Sequence, residues 1–318
     1  MAIAVLKNYR LEFKMEFFRK KTNIDFMALR KLAAIFSTVL VLGSIITLAI
    51  NGLNWGLEFT GGTEVHVLYQ KPVDLTEVRT LIKQAGFKDA VVQSYGTTKN
   101  VLVRIGGHQN LQKKTIGHEV IQALPNATLQ SVNYIGPQVG KELATNGALA
   151  LFIAMLGTAI YIALRFEWRF SVSAAISLLH DPILILGCFS LFHMEFDLIS
   201  LAAVLTIIGY SLNDTIVVFD RVRENFRKYK KGTPTEVVNA SVNQTLSRTI
   251  MTSGLTLLAV VALLIFGGPT LHGFSIALLI GIIVGTYSSI YVAGALAVAL
   301  GLKREDLLPK AKFSDDRP

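Results

Sequence analysis

Apolar runs of about twenty residues recur six times along this chain, at 32–51, 143–164, 172–193, 198–219, 249–266 and 274–302. A helix rises about 1.5 Å per residue, so each run matches the ~30 Å hydrocarbon layer of a bilayer. Six transmembrane helices are expected. The first run follows a polar leader, 1–31, and its apolar core exceeds that of a signal peptide, so it reads as an uncleaved anchor.

Between the first two runs, 52–142 breaks the pattern. It reads as strand at 63–69, helix at 75–85, strand at 90–95, strand at 100–105, helix at 110–124 and strand at 128–134. Asp74 stands where a helix cap belongs and Glu77 follows three residues later, the spacing of a capping box. The order βαββαβ predicts a small ferredoxin-like α+β domain. His66, His108 and His118 have no triad partners at recognisable spacing, so the domain reads as a binding or coupling unit. The expected class is an α-helical polytopic membrane protein of six spans, with this non-cytoplasmic domain between spans one and two.

Composition agrees. Hydrophobic residues make up 52% of the 318 and charged residues 17%, against about 25% charged in a soluble domain. The net charge of +9 would suggest nucleic acid were it not distributed by topology. Lys7, Arg10, Lys14, Arg19, Lys20, Lys21, Arg30 and Lys31 precede span one, Arg165 and Arg169 separate spans two and three, a basic stretch lies at 221–231, and Lys303 and Arg304 follow span six. All fall on one side of a six-span fold, which the positive-inside rule makes cytoplasmic. The expected division is a cytoplasmic segment 1–31, span one at 32–51, an extracytoplasmic domain 52–142, a five-span bundle 143–302 with a cytoplasmic loop 220–248, and a cytoplasmic tail 303–318. Both termini are then inside the plasma membrane. The lone Cys188 lies within span three, and no His or Cys spacing suggests a metal or cofactor.

Candidate chemistry lies within the spans. Asp214 interrupts an apolar run, and an ionisable group at that depth commonly handles ions or protons. Arg248 stands at comparable depth at the start of span five. Helical spacing puts Tyr210 on the face of Asp214 with Asn213 beside it, and gives span five a polar stripe of Thr245, Arg248, Thr249, Thr252, Ser253 and Thr256. Water access and the position of Arg248 would switch Asp214, while arginine itself keeps its proton. Competing readings are a purely structural Asp214–Arg248 pair, an Arg248 that snorkels to headgroups, and a stripe that only packs. His180-Asp181-Pro182 is a second intramembrane ionisable pair, either functional or capping a helix bent by proline. Gly281 and Gly285 form a G-x-x-x-G, read first as a contact within the fold. No Walker A sequence and no nucleophile, base and oxyanion set emerges, so an enzyme is not expected.

Three stretches together resemble the SecF family, the smaller membrane subunit of the SecD–SecF export complex. Trp55-Gly56-Leu57-Glu58-Phe59-Thr60-Gly61-Gly62 is similar to its G-x-D-F-x-G-G, with Glu58 where Asp is commonest. Gly209 to Arg221 resembles G-Y-S-x-N-D-T-x-V-x-F-D-R, and Asn239 to Thr249 resembles N-x-S-x-x-Q-T-L-x-R-T. The resemblance implies a relative of the resistance-nodulation-division exporters that pairs with SecD, associates with SecYEG, and uses the proton motive force to export preproteins after the ATP-driven stage. It places the family's proton-linked Asp and Arg on Asp214 and Arg248. Gly56, Glu58, Gly61 and Gly62 carry the first motif, which also reads as a turn from membrane into domain. Two further readings are a small-molecule exporter of the wider superfamily, ordinarily of twelve spans, and a non-conducting scaffold of the channel.

Overall fold

The computed structural model describes residues 22–106, 113–229 and 232–304. The basic leader up to Lys21, His108, the first residues of the helix expected from 110, and the tail beyond Arg304 lie outside the described residues. Among those described, six helices are long and apolar enough to cross a membrane, and a four-stranded α+β unit separates the first two.

Span one is a short turn, Met27–Leu29, followed by α1, Arg30–Asn51. Next come β1 (Asn54–Trp55), the one-turn α2 (Leu57–Thr60), β2 (Gly62–Tyr69), α3 (Leu75–Gln84), β3 (Val91–Tyr95), β4 (Thr97–Ile105), α4 (Lys113–Ala123) and β5 (Ala127–Ile135). The sheet order is β3-β4-β2-β5 with every pair antiparallel, the ferredoxin-like arrangement. At α3 the Thr76 N–H donates to Asp74 at 2.8 Å, but the reciprocal bond expected from Glu77 is not formed, so the cap is single. Val65, Val67, Val101 and Val103 pack with Val78, Ile82 and Val120. β4 departs from strand alternation: Val101 to Ile105 are all buried, with Val101, Val103 and Ile105 in the core under the helices and Arg104 on the other face bonded to Trp55 and Glu195.

Span two is α5 (Pro137–Arg165), span three α6 (Trp168–Leu191), span four α7 (Leu198–Lys228) and span five α8 (Pro234–Phe266). Span six is α9 (His272–Ser288), a π-helical turn (Ser289–Ala293) and α10 (Gly294–Ala299). Before α7, β6 (Glu195–Phe196) pairs in parallel with β1. The loop expected at 220–248 is instead mostly helical. Hydropathy marks where a helix leaves hydrocarbon, not where it ends, and α7 continues on an Arg221–Glu224 pair at 2.8 Å while α8 opens with a complete Thr233/Glu236 capping box.

α6, α7 and span six form the buried centre, and α1, α5 and α8 turn most of their apolar surface outward. Two apolar cores occupy opposite ends of the bundle. One gathers Phe170, Phe219, Val222, Val238 and Ile290, the other Phe189, Val204, Ile207, Val260 and Ile282. Each inner helix, and α8 beside them, passes from one core to the other through polar residues: His180 and Asp181 on α6, Ser211, Asp214 and Thr215 on α7, Thr249 and Ser253 on α8, and Ser288 and Ser289 on span six. A polar belt therefore lies between two apolar layers, where unpaired polar groups are costly.

Candidate functional site

Asp214 lies in this belt, half-buried, where α7 meets α8. Thr249 Oγ1 donates to its Oδ1 at 2.6 Å, and its Oδ2 is buried without a hydrogen-bond partner among the described residues. Asp214 and Arg248 do not form the ion pair that equal depth suggested. Arg248 is exposed on the outer face of α8, close enough for its charge to reach the carboxyl through space but not in contact. One residue rotates a helix by about 100°, so Thr249 meets Asp214 when Arg248 turns away.

The other polar residues of the motif divide. Tyr210 donates to Ser253 Oγ at 3.2 Å, and Ser253 is hydrogen-bonded to Thr286 at 2.8 Å, so Tyr210 joins span four to span five and, through Ser253, to span six. Thr252 and Thr256 donate to carbonyls of their own helix, which satisfies their protons without a partner helix. Asn213 is exposed on the outer face of α7. Asn239 and Asn243 hold the segment before span one: Ile24 N–H donates to Asn243 at 2.9 Å, Met27 N–H donates to Asn239 at 3.2 Å, and both amides donate to the Ile24 carbonyl.

His180 and Asp181 are buried at the centre. His180 Nδ1 is hydrogen-bonded to Asp181 Oδ1 at 2.9 Å, and Asp181 Oδ2 accepts from Ser211 at 2.5 Å and Ser288 at 3.0 Å. Three spans thus converge on one carboxyl. Ser289, next to Ser288, is hydrogen-bonded to Thr215 at 2.9 Å and lies near the Asp214 carboxyl, which carries the network from Asp181 to Asp214. Sequence reasoning missed Ser211, Ser288 and Ser289; a serine pair inside an apolar span was the available signal. Gly281 and Gly285 face α7, where added Cβ atoms would crowd Ile207 and come 3.0 Å from Ser211, so this motif serves contact within the fold.

At the extramembrane end, the first motif is a close-packed junction. A Cβ on Gly56 would lie 2.9 Å from the Asp197 backbone, and one on Gly61, whose φ is +66°, would lie 2.8 Å from Pro137. Gly62 also has positive φ, at 133°. Arg104 of β4 is buried; it donates to the Trp55 carbonyl at 3.0 Å and pairs with Glu195, which also accepts from Gln93 at 2.8 Å. Asp197 caps α7, accepting from Ser200 N–H at 2.7 Å. The domain is therefore bonded directly to the start of the helix that carries Asp214, a junction the sequence did not reveal.

Glu58 sits among these groups. Burial pushes its carboxyl above the ordinary value of 4.5, and Asp197 and Glu64 add to the shift against a backbone hydrogen bond and Arg104. An acid with a raised folded-state pKa contributes stability that is present below 4.5 and lost as pH rises through the folded value. Glu58→Gln is expected to match the parent chain in thermal unfolding at acid pH and to exceed it at neutral pH. Equal midpoints at every pH would show that the carboxylate is already well solvated.

Six membrane helices around an ionisable interior, with one ferredoxin-like domain bonded to the fourth, define a polytopic membrane protein with a domain-coupled core. The sequence matches the family described as "Protein export membrane protein SecD/SecF, C-terminal" over residues 115–303 and the SecD/SecF GG motif over 46–73. The chain belongs to this SecD/SecF family. It is 48% identical to the protein translocase subunit SecF of Vibrio alginolyticus, covering 92% of this chain and 94% of that one. It is also 48% identical to the Pseudomonas aeruginosa subunit, covering 93% and 98%. A crystal structure of SecDF from Thermus, titled a translocon-associated membrane protein, matches with a TM-score of 0.81 at 36% identity, over 88% of this chain and 39% of that longer chain. A SecDF structure in a super-membrane-facing form matches with a TM-score of 0.67.

Proposed function

We propose that this chain is a SecF-type auxiliary subunit of the preprotein translocase, which works with a SecD-like subunit beside a SecYEG channel and couples the proton motive force to late, ATP-independent export. The observation that carries the reading is Asp214: a carboxyl in a membrane interior, held by Thr249 on one oxygen and unpartnered on the other. Such a group can take and release a proton as water reaches it, and the belt offers it hydroxyl neighbours from two other spans, five and six. No nucleotide is needed, since one charge crossing 100 mV releases about 2.3 kcal/mol. The outer surface of α7 and α8 supports a partner, because Thr206, Asn213, Arg248 and Thr252 are exposed there and a polar stripe is costly against lipid alone. The chain spans 39% of the SecDF chain, which leaves room in that protein for a second six-span half. Completion of a halted preprotein in vesicles under an imposed proton gradient tests the reading; equal completion by vesicles lacking this chain would overturn it.

The same reading places the chain in the bacterial plasma membrane with both termini cytoplasmic and the α+β domain outside. With Cys188 replaced by Ser, Lys88→Cys is expected to react with an impermeant maleimide on intact spheroplasts, and Glu224→Cys only after permeabilisation. The reverse labelling would invert the topology and remove the domain from the export side.

A further inference from the structure

A wedge-shaped cavity of about 590 Å3 opens beside span one, lined by α1, α6 and the end of span six. Its cause lies in helix packing. α1 meets α6 closely where Ser44 abuts Gly187, a position at which any Cβ would collide. From there toward the Arg30 end the two helices leave a gap walled by Leu42, Val41, Leu179 and Ala295, with Ala34 on the α1 side. The wall surface is mostly apolar; its polar members Ser37, Thr38 and His180 are already bonded to Tyr287, the Ala34 carbonyl and Asp181, and the end of the gap holds Arg30 and Lys31. Lys31 is exposed, and Arg30 is oriented by donating through one nitrogen to the Met27 carbonyl at 3.2 Å, which leaves its other N–H groups available.

Depth and charge identify an occupant. From Arg30 to Leu42 the helix rises about 18 Å, close to the ~15 Å of one leaflet's hydrocarbon. The gap is thus one leaflet deep, apolar inside, and doubly cationic at the headgroup level, and basic pockets between membrane helices recognise anionic lipid headgroups. We propose that this wedge is a binding site for one anionic phospholipid, with an acyl chain between α1 and α6 and its phosphate at Arg30 and Lys31. The lipid completes the packing of span one, the helix from which the extramembrane domain is hung. On the topology proposed above this is the cytoplasmic leaflet; the site itself does not rest on that topology.

Native mass spectrometry of the detergent-extracted complex with its SecD-like subunit tests this, after delipidation and titration with phosphatidylglycerol. Phosphatidylglycerol is expected to bind well ahead of phosphatidylethanolamine, and Arg30→Gln/Lys31→Gln to weaken it about thirtyfold, the effect of two charges at a membrane surface. Ala34→Trp, which fills the wedge without altering charge, is expected to abolish the same binding. Millimolar inorganic phosphate is expected to displace nothing; displacement by phosphate would show a headgroup-only ion site and overturn the proposal. It would equally be overturned by lipid binding indifferent to both variants, or by Ala34→Cys cross-linking to the SecD-like subunit, which would show that protein fills the wedge.

Discussion

Asp214→Asn is expected to leave expression and pairing with the SecD-like subunit intact and to reduce gradient-driven preprotein completion to the level seen without a gradient. Asparagine keeps the size and the oxygen that accepts from Thr249 but cannot change charge. The loss removes the bias that one proton gains in crossing 100 mV, about fiftyfold in a conformational equilibrium. Thr249→Val, which removes only the donor to Oδ1, is expected to fall between the parent and Asn. Arg248→Lys is expected to be milder than Arg248→Met, because Arg248 makes no contact with Asp214 in this state and acts on it as a charge. The measurement is protease-protected product from vesicles loaded with a preprotein halted after ATP is exhausted. Equal completion by Asp214→Asn and parent vesicles would make Asp214 structural and leave the scaffold as the better account.

Sequence and structure agree where the physics is local. Six apolar runs gave six spans because hydrocarbon thickness fixes their length, and the domain's strand and helix order fixed its sheet order. The misses have a common cause in distance. β1 and β6 are two residues each and lie some 140 positions apart, so no periodicity announces them. Asp181 was visible as an ionisable residue in a span, but its partners Ser211 and Ser288 come from other helices and look like ordinary small residues until packing brings them together. The Asp214–Arg248 pairing was inferred from depth, which sequence shows, whereas contact depends on helix rotation, which it does not. Helix ends were misplaced at 220–248 because a helix outside hydrocarbon is held by ion pairs and caps, and those leave hydropathy unchanged.

The second large effect concerns the junction between domain and span four. Glu195→Gln is expected to cost about 3 kcal/mol or more in the stability of the docked domain, because it leaves Arg104, with 8% of its side chain exposed, as a buried cation that cannot shed its proton. Arg104→Met is expected to cost less. Burial already pushes the Glu195 carboxyl above its ordinary value, against the pull of Arg104, so the acid can respond to the loss of its partner by taking up a proton. The double variant is expected to recover part of the Glu195→Gln loss, since neither charge remains buried alone. Hydrogen exchange at β4 and at the β1–β6 pair in the intact complex reads these costs, and strictly additive effects would show that the two residues act independently. If the pair transmits motion as well as stability, Glu195→Gln should also lower gradient-driven completion while Asp214 and the belt remain intact. Loss of protection without loss of completion would separate the anchoring of the domain from its drive, because a domain that works while undocked cannot be moved through the start of α7.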